Sequence, residues 1–288
     1  MVKRISTIIL TIAACSCNQL DVKGVFIPTG AGVEKRFEQS AKMNENLKAG
    51  LIEANESYTI YVATDPHINE THANLTLFND ALKNDADAAF GVVLGDCIDI
   101  KDNLSTYLEV FTYKPEKHAY NNEVYHILGN HDTYFNGWED FKELVGPSVY
   151  WFEVVFNNGK DLYISLDTAT GSLGRKQTKW LKTFLAANRK DYRHCVILTH
   201  TNFFYTDNSQ VSSGNMPIEE TFALIDLLGK HNVTLALQGH DHHREDLIYD
   251  KVRYTVLGAI KDEMESPEYL KINVNNNEMN YDWQLIGQ

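Results

Sequence analysis

The chain has 288 residues, 43% of them hydrophobic and 11% aromatic, with a formal charge of −13 at pH 7. That composition supplies one large apolar core or two small ones and excludes a disordered chain, since the charges are mixed in sign. So acidic a surface argues against nucleic acid as a partner, although locally bound cations can still draw in a small anionic substrate.

The chain opens "MVKRISTIILTIAACSC". Lys3 and Arg4 form a basic start, and Ile5 to Ala14 an apolar run too short to span a bilayer as a helix. This stretch resembles a bacterial lipoprotein signal, in which a short run of apolar and small residues ends in a modified cysteine. Here that run is Ile12, Ala13, Ala14 and Cys15, with Cys17 as a weaker alternative anchor. The resemblance implies a signal peptide over residues 1–14 and a membrane anchor through lipid on Cys15. It places the protein in the bacterial cell envelope, facing the periplasm or exterior. Processing there removes Lys3 and Arg4 and takes the charge to −15. The remaining unmodified cysteines, Cys17, Cys97 and Cys195, are no disulfide framework. Cys97 and Cys195 sit in apolar runs, as packed small hydrophobes do.

Residues 15–56 read as a tether and an N-terminal helix. "PTGAG" is irregular. Val33, Phe37, Leu47 and Leu51 fall at loosely helical spacing, with Gly50 as a possible stop. Residues 57–288 form the main domain. Strand-like runs follow one another there: "YTIYVAT", "AAFGVVLG", "EVYHILG", "YWFEVVF", "DLYISLD", "HCVILTH" and "VTLALQG". Helical stretches lie between several of them. "RKQTKWLKTFLAANRK" carries an apolar stripe of Trp180, Leu181, Phe184 and Leu185, and "IEETFALIDLLGK" stops at Gly229. Further strands follow from Lys251. The alternation predicts an α/β layered fold with antiparallel additions.

Five of the strand-like runs end in residues that bind metals. They deliver Asp65 and His67, then Asp96 and Asp99, then Asn130, His131 and Asp132, then His200, then His240 and His242. Sites in α/β sheets form at the carboxyl ends of strands, so these residues are expected on one rim. Imidazole, carboxylate and amide without thiolate suit Zn, Fe, Mn or Co better than Ca or Cu(I). The ligands are too many for one tetrahedral ion, whereas two ions roughly 3.5–4 Å apart and sharing a carboxylate would use them all.

In order, "DPH", "GDCID", "GNHD", "LTH" and "GHDH" resemble the motif series of the calcineurin-like metallophosphoesterases, over about residues 57–260. The resemblance implies a four-layer α/β fold, a β-sandwich flanked by helices. It implies one metal on Asp65, His67, Asp96 and His242, and a second on Asp96, Asn130, His200 and His240, with Asp96 bridging. The cofactors would be two divalent or trivalent transition-metal ions (Mn, Fe or Zn), and the substrate a phosphate ester attacked by a bridging hydroxide. His131 would be the general acid and Asp99 would orient it. Asp99 stands where purple acid phosphatases carry a tyrosine. Ile100 and Leu128 stand where Ser/Thr protein phosphatases carry arginines, so the pattern is closer to the cyclic-nucleotide-phosphodiesterase-like branch. A nuclease or pyrophosphatase on the same core is the alternative, as is a non-catalytic surface-binding lipoprotein.

Other residues have plainer readings. His126 alternates with apolar neighbours and reads as packed. His72, His118, His194 and His231 read as surface or structural, His243 as supporting or exposed, and Asp132 as a cap for the next turn. Tyr134, Phe135, Trp138, Phe203, Phe204 and Tyr205 could line a pocket or pack.

Overall fold

The computed structural model describes residues 30–69, 71–111, 124–204, 216–276 and 278–287. The lipoprotein-like signal, His118, Tyr205 and the polar stretch "TDNSQVSSGN" lie outside the described residues. In chain order the elements are α1 (Val33–Met43), β1 (Lys48–Glu53), β2 (Tyr58–Ala63), α2 (Ala73–Asn84), β3 (Ala88–Val93), α3 (Leu104–Val110), β4 (Val124–His126), α4 (Gly137–Leu144), β5 (Tyr150–Phe156) and β6 (Gly159–Ser165). Then follow α5 (Gly174–Asn188), β7 (Cys195–Leu198), α6 (Ile218–Lys230), β8 (Leu235–Gln238), β9 (Glu245–Tyr249), β10 (Val252–Val256), β11 (Glu268–Val274) and β12 (Met279–Leu285).

These strands form two sheets, ordered β1-β5-β6-β7-β8-β10-β9 and β12-β11-β2-β3-β4. Strands β2, β3 and β4 run parallel in one sheet, and β6, β7 and β8 in the other. The period of two along each strand sorts the side chains into layers. On β2, Ile60 and Val62 enter the core between the sheets, while Tyr61 and Ala63 face α2 and α4 through Phe78 and Phe141. On β7, Val196 and Leu198 face inward, while Cys195 and Ile197 join Leu181 of α5 and Leu228 of α6. The result is helix, sheet, sheet, helix, as expected. Phe152 lies in the central layer between Tyr125 and Tyr163, at ring separations of 3.8 and 5.0 Å. Cys97, in the loop after β3, and Cys195 of β7 are buried and free.

The N-terminal part departs from the sequence reading. Helix α1 ends at Met43, not at Gly50, and Gly50 sits in β1, paired with Phe152 of β5. The buried Arg36 binds Asp167 through two hydrogen bonds of 2.7 and 2.8 Å and donates to the Ala31 carbonyl. The folded unit therefore begins well before residue 57. Its partners lie more than a hundred positions away, which is why local spacing did not reveal it. Strand β9 also begins before Lys251, directly after the histidine cluster.

Candidate metal centre

All five strand ends converge. Asp65 and His67 follow β2, Asp96 and Asp99 follow β3, and Asn130 and His131 follow β4. His200 follows β7, and His240 and His242 follow β8. Sharp turns make this possible. Asp65, His67, Asp96, His240 and His242 all have positive φ, between 45° and 76°. Asp and His tolerate this region better than bulky residues, yet each instance costs on the order of 1 kcal/mol. Gly95 also has positive φ, at 91°, and a Cβ there would press on Gly129 N at 2.7 Å and His200 Nδ1 at 2.8 Å. A Cβ on Gly129 would collide with the backbone and carboxylate of Asp96. The glycines of "GD" and "GN" thus let two loops touch.

Two groups of donors result. In the first, His67 Nε2 lies 3.1 Å from His242 Nε2, and Asp65 Oδ1 lies 3.7 Å from the former and 3.3 Å from the latter. In the second, His200 Nε2 lies 2.9 Å from Asn130 Oδ1 and 3.1 Å from His240 Nδ1. Asp96 stands between the groups. Its Oδ1 is 3.4 Å from His200 Nε2, and its Oδ2 is 3.7 Å from His67 Nε2. All the residues expected as ligands are therefore brought together.

The protonation pattern shows that cations fit. His200 Nδ1 donates to the Leu94 carbonyl at 2.8 Å, because a carbonyl can only accept. In the neutral ring, Nε2 then presents a lone pair to Asn130 Oδ1, itself a lone-pair atom. His67 Nδ1 likewise faces the Asp99 carboxylate at 2.8 Å, which turns Nε2 inward. Asp65 Oδ1 is buried and without a hydrogen-bond partner, whereas Asp65 Oδ2 accepts from Thr64 Oγ1 and from the His240 amide at 2.9 Å. Facing lone pairs repel unless protons or metal ions lie between them. Two donors about 2.1 Å from one ion stand roughly 3.0–3.4 Å apart, close to the spacings here. Without metal, protons take that place. Burial lowers the affinity of His67 and His200 for a proton. For His67 the nearby Asp65, Asp99 and Asp96 outweigh burial and raise its pKa to about 10. For His200, Asp96 and Asp65 do the same and raise its pKa to about 9. Burial pushes the Asp65 and Asp96 carboxyls up, but the surrounding imidazoles hold both below the usual range.

Asp99 differs from expectation. Its hydrogen bond goes to His67, and the His131 Nδ1 atom lies 3.7 Å away without a hydrogen-bond partner. His131 is anchored instead through its backbone, which donates to Asp96 Oδ1 at 2.8 Å. Burial, with the charge of His67, lowers the His131 pKa against the pull of Asp96 and Asp99. Asp132 caps no turn: it accepts from Gly129 N at 2.8 Å and Cys97 N at 2.9 Å, tying the "GN" loop to the "GD" loop. Burial and the Asp96 charge push its carboxyl up to about 7. Sequence reasoning also missed two supports. Thr64 holds Asp65, and the Tyr134 hydroxyl accepts from Asn130 Nδ2 at 2.9 Å, which aims Asn130 Oδ1 at the second group. The side chains of His131 and Asp99 are 32% and 39% exposed, so the centre opens on their side.

The side chains of four of the remaining histidines have partners away from the centre, and His231 ends α6. His126 is buried against Tyr107, and His194 reaches the Asn275 carbonyl. His72 meets Thr76, and His243 meets Glu245.

The model of the Calcineurin-like phosphoesterase family matches residues 58–244. The chain belongs to that family. No curated protein sequence matches it. Among solved structures, a dimetal phosphatase from Danio rerio aligns with a TM-score of 0.57 at 14% identity, over 80% of this chain and 98% of that one. GAP50 of Plasmodium, the anchor in the inner membrane complex, aligns with a TM-score of 0.59 at 14% identity, over 81% and 85%. Purple acid phosphatase PPD1 from yellow lupin aligns at 0.57 and 13%, over 81% of this chain and 52% of that one. At these identities the likeness is one of fold. This member of the family carries candidate metal-ligand groups at the shared end of both sheets.

Proposed function

We propose that the protein is a dinuclear metal-dependent phosphoesterase that hydrolyses a phosphomonoester or phosphodiester. The observation that supports this best is the pair of donor groups on either side of Asp96, with lone pairs facing one another. Asp65, His67 and His242 would hold one ion, Asn130, His200 and His240 the other, and Asp96 would serve both. When bound, such ions activate a water molecule and neutralise charge on the phosphoryl oxygens. The chain's own part is positional. Leu94 and Asp99 fix the rings of His200 and His67 so that Nε2 faces inward. The Tyr134 hydroxyl holds the Asn130 amide. His131, on the open side, would protonate the leaving oxygen.

A lipid on Cys15 would hold this centre at the bacterial cell envelope, with support from the N-terminal sequence alone. A panel of phosphomonoesters, phosphodiesters and pyrophosphates with added Mn²⁺ tests the reading. Hydrolysis of esters is expected, and its abolition by chelator. A protein that binds two ions and cleaves none of the panel would contradict it.

A further inference from the structure

Phe135 is held against local preference. Phe135 has φ 53° and Asn136 φ 69°, both left-handed. Asn accepts that region readily, whereas a bulky residue there is a genuine outlier. Burial does not compensate Phe135, which remains 48% exposed. Strain without burial, one residue from a group that touches the metal centre, points to a role outside folding.

The surroundings supply that role. The Tyr134 ring lies 4.8 Å from the His131 ring, and Tyr134 is 36% exposed. Ile100, directly after Asp99, is 47% exposed. Among the described residues these three belong to the large apolar side chains left open to solvent: Ile100 follows Asp99 in the chain, the Tyr134 ring meets His131, and Phe135 follows Tyr134. We propose that Ile100, Tyr134 and Phe135 form the leaving-group subsite, which takes the flat apolar part of a phosphoester such as an aryl or nucleobase group. The inference rests on His131 as the group that serves the leaving oxygen, since that places the departing alcohol beside Tyr134. A flat ring there covers apolar surface and stacks on aromatic faces, whereas a small alkyl group does neither.

The test compares benzyl with methyl, because their alkoxides are about equally basic and differ mainly in the ring. Calorimetry on the metal-loaded full chain measures benzylphosphonate and methylphosphonate, which cannot be hydrolysed. The matching phosphate esters measure turnover. Benzylphosphonate is expected to bind about tenfold or more tightly than methylphosphonate, as loss of one stacked ring commonly costs that much. Phe135→Ala and Ile100→Ala are each expected to reduce that preference several-fold. Their effect on the benzyl ester is expected in KM, with kcat and the methyl ester unchanged. Equal binding of the two phosphonates, or a preference that survives both substitutions, would overturn the subsite. If the preference is present and both substitutions reduce it but no ester is cleaved, the aryl-binding surface stands, while the hydrolase reading and the leaving-group role both fall.

Discussion

At the scale of single residues, Asp99 and His131 separate two roles that the motif resemblance joined. Asp99 accepts from His67, so Asp99→Asn is expected to weaken one metal site by about 10–100-fold, the usual cost of losing a partner that orients a ligand. Metal titration of the variant checks this. His131 donates only its backbone to Asp96. His131→Ala is expected to keep both ions and to slow turnover by roughly 10²–10⁴-fold for alkyl esters, with a small loss for nitrophenyl esters. An equal loss for both would show that His131 positions the phosphoryl group instead. If Asp99→Asn reproduces the leaving-group dependence with metal content intact, Asp99 acts through His131 despite the 3.7 Å gap.

At the scale of elements, β4 and the helix beside it carry a pH-dependent stability. His126 is fully buried in β4, with Nδ1 on the Tyr107 hydroxyl of α3 at 2.6 Å and its ring against Phe111. Burial pushes its pKa down to about 3. The unfolded chain takes up the proton near pH 6.5 and the folded chain does not. Stability is therefore full above about 6.5 and is lost as pH falls toward 3, by about 1.4 kcal/mol per pH unit inside that window. His126→Phe is expected to remove this dependence, at a pH-independent loss of about 1 kcal/mol for the Tyr107 hydrogen bond. Urea denaturation at pH 7.5 and 5 distinguishes the two. An identical acid loss in both proteins would refute the burial argument. Helix α1 makes a second case. Arg36→Met leaves the buried Asp167 unpaired and is expected to destabilise by about 3–5 kcal/mol.

At the scale of the whole molecule, the seven strand-like runs of the main domain match β2 to β8, because each has four or more apolar residues near a turn signal. The candidate ligand set was readable for the same reason: each candidate residue follows its own strand by only a few positions. Three things were not legible. The membership of β1 depends on pairing with β5, about a hundred residues away. The pairing of Asp99 with His67 depends on how two turns meet. The tie from Asp132 to the "GD" loop depends on the missing Cβ of Gly129. None of these leaves a periodic trace in the chain. No helix among the described residues is long and apolar enough to cross a membrane. The proposed attachment through Cys15 has its support in the N-terminal sequence. Cys15→Ala is expected to shift the protein from the membrane to the soluble fraction or to block its processing, and fractionation with mass spectrometry of the N-terminus checks this.

One end of the two sheets is proposed to hold two ions across Asp96. Anomalous diffraction from crystals of the Mn²⁺-loaded protein measures this directly. Two peaks about 3.5–4 Å apart are expected, one beside Asp65, His67 and His242, the other beside Asn130, His200 and His240, with Asp96 between them. A single peak, or two peaks that do not share Asp96, would contradict it.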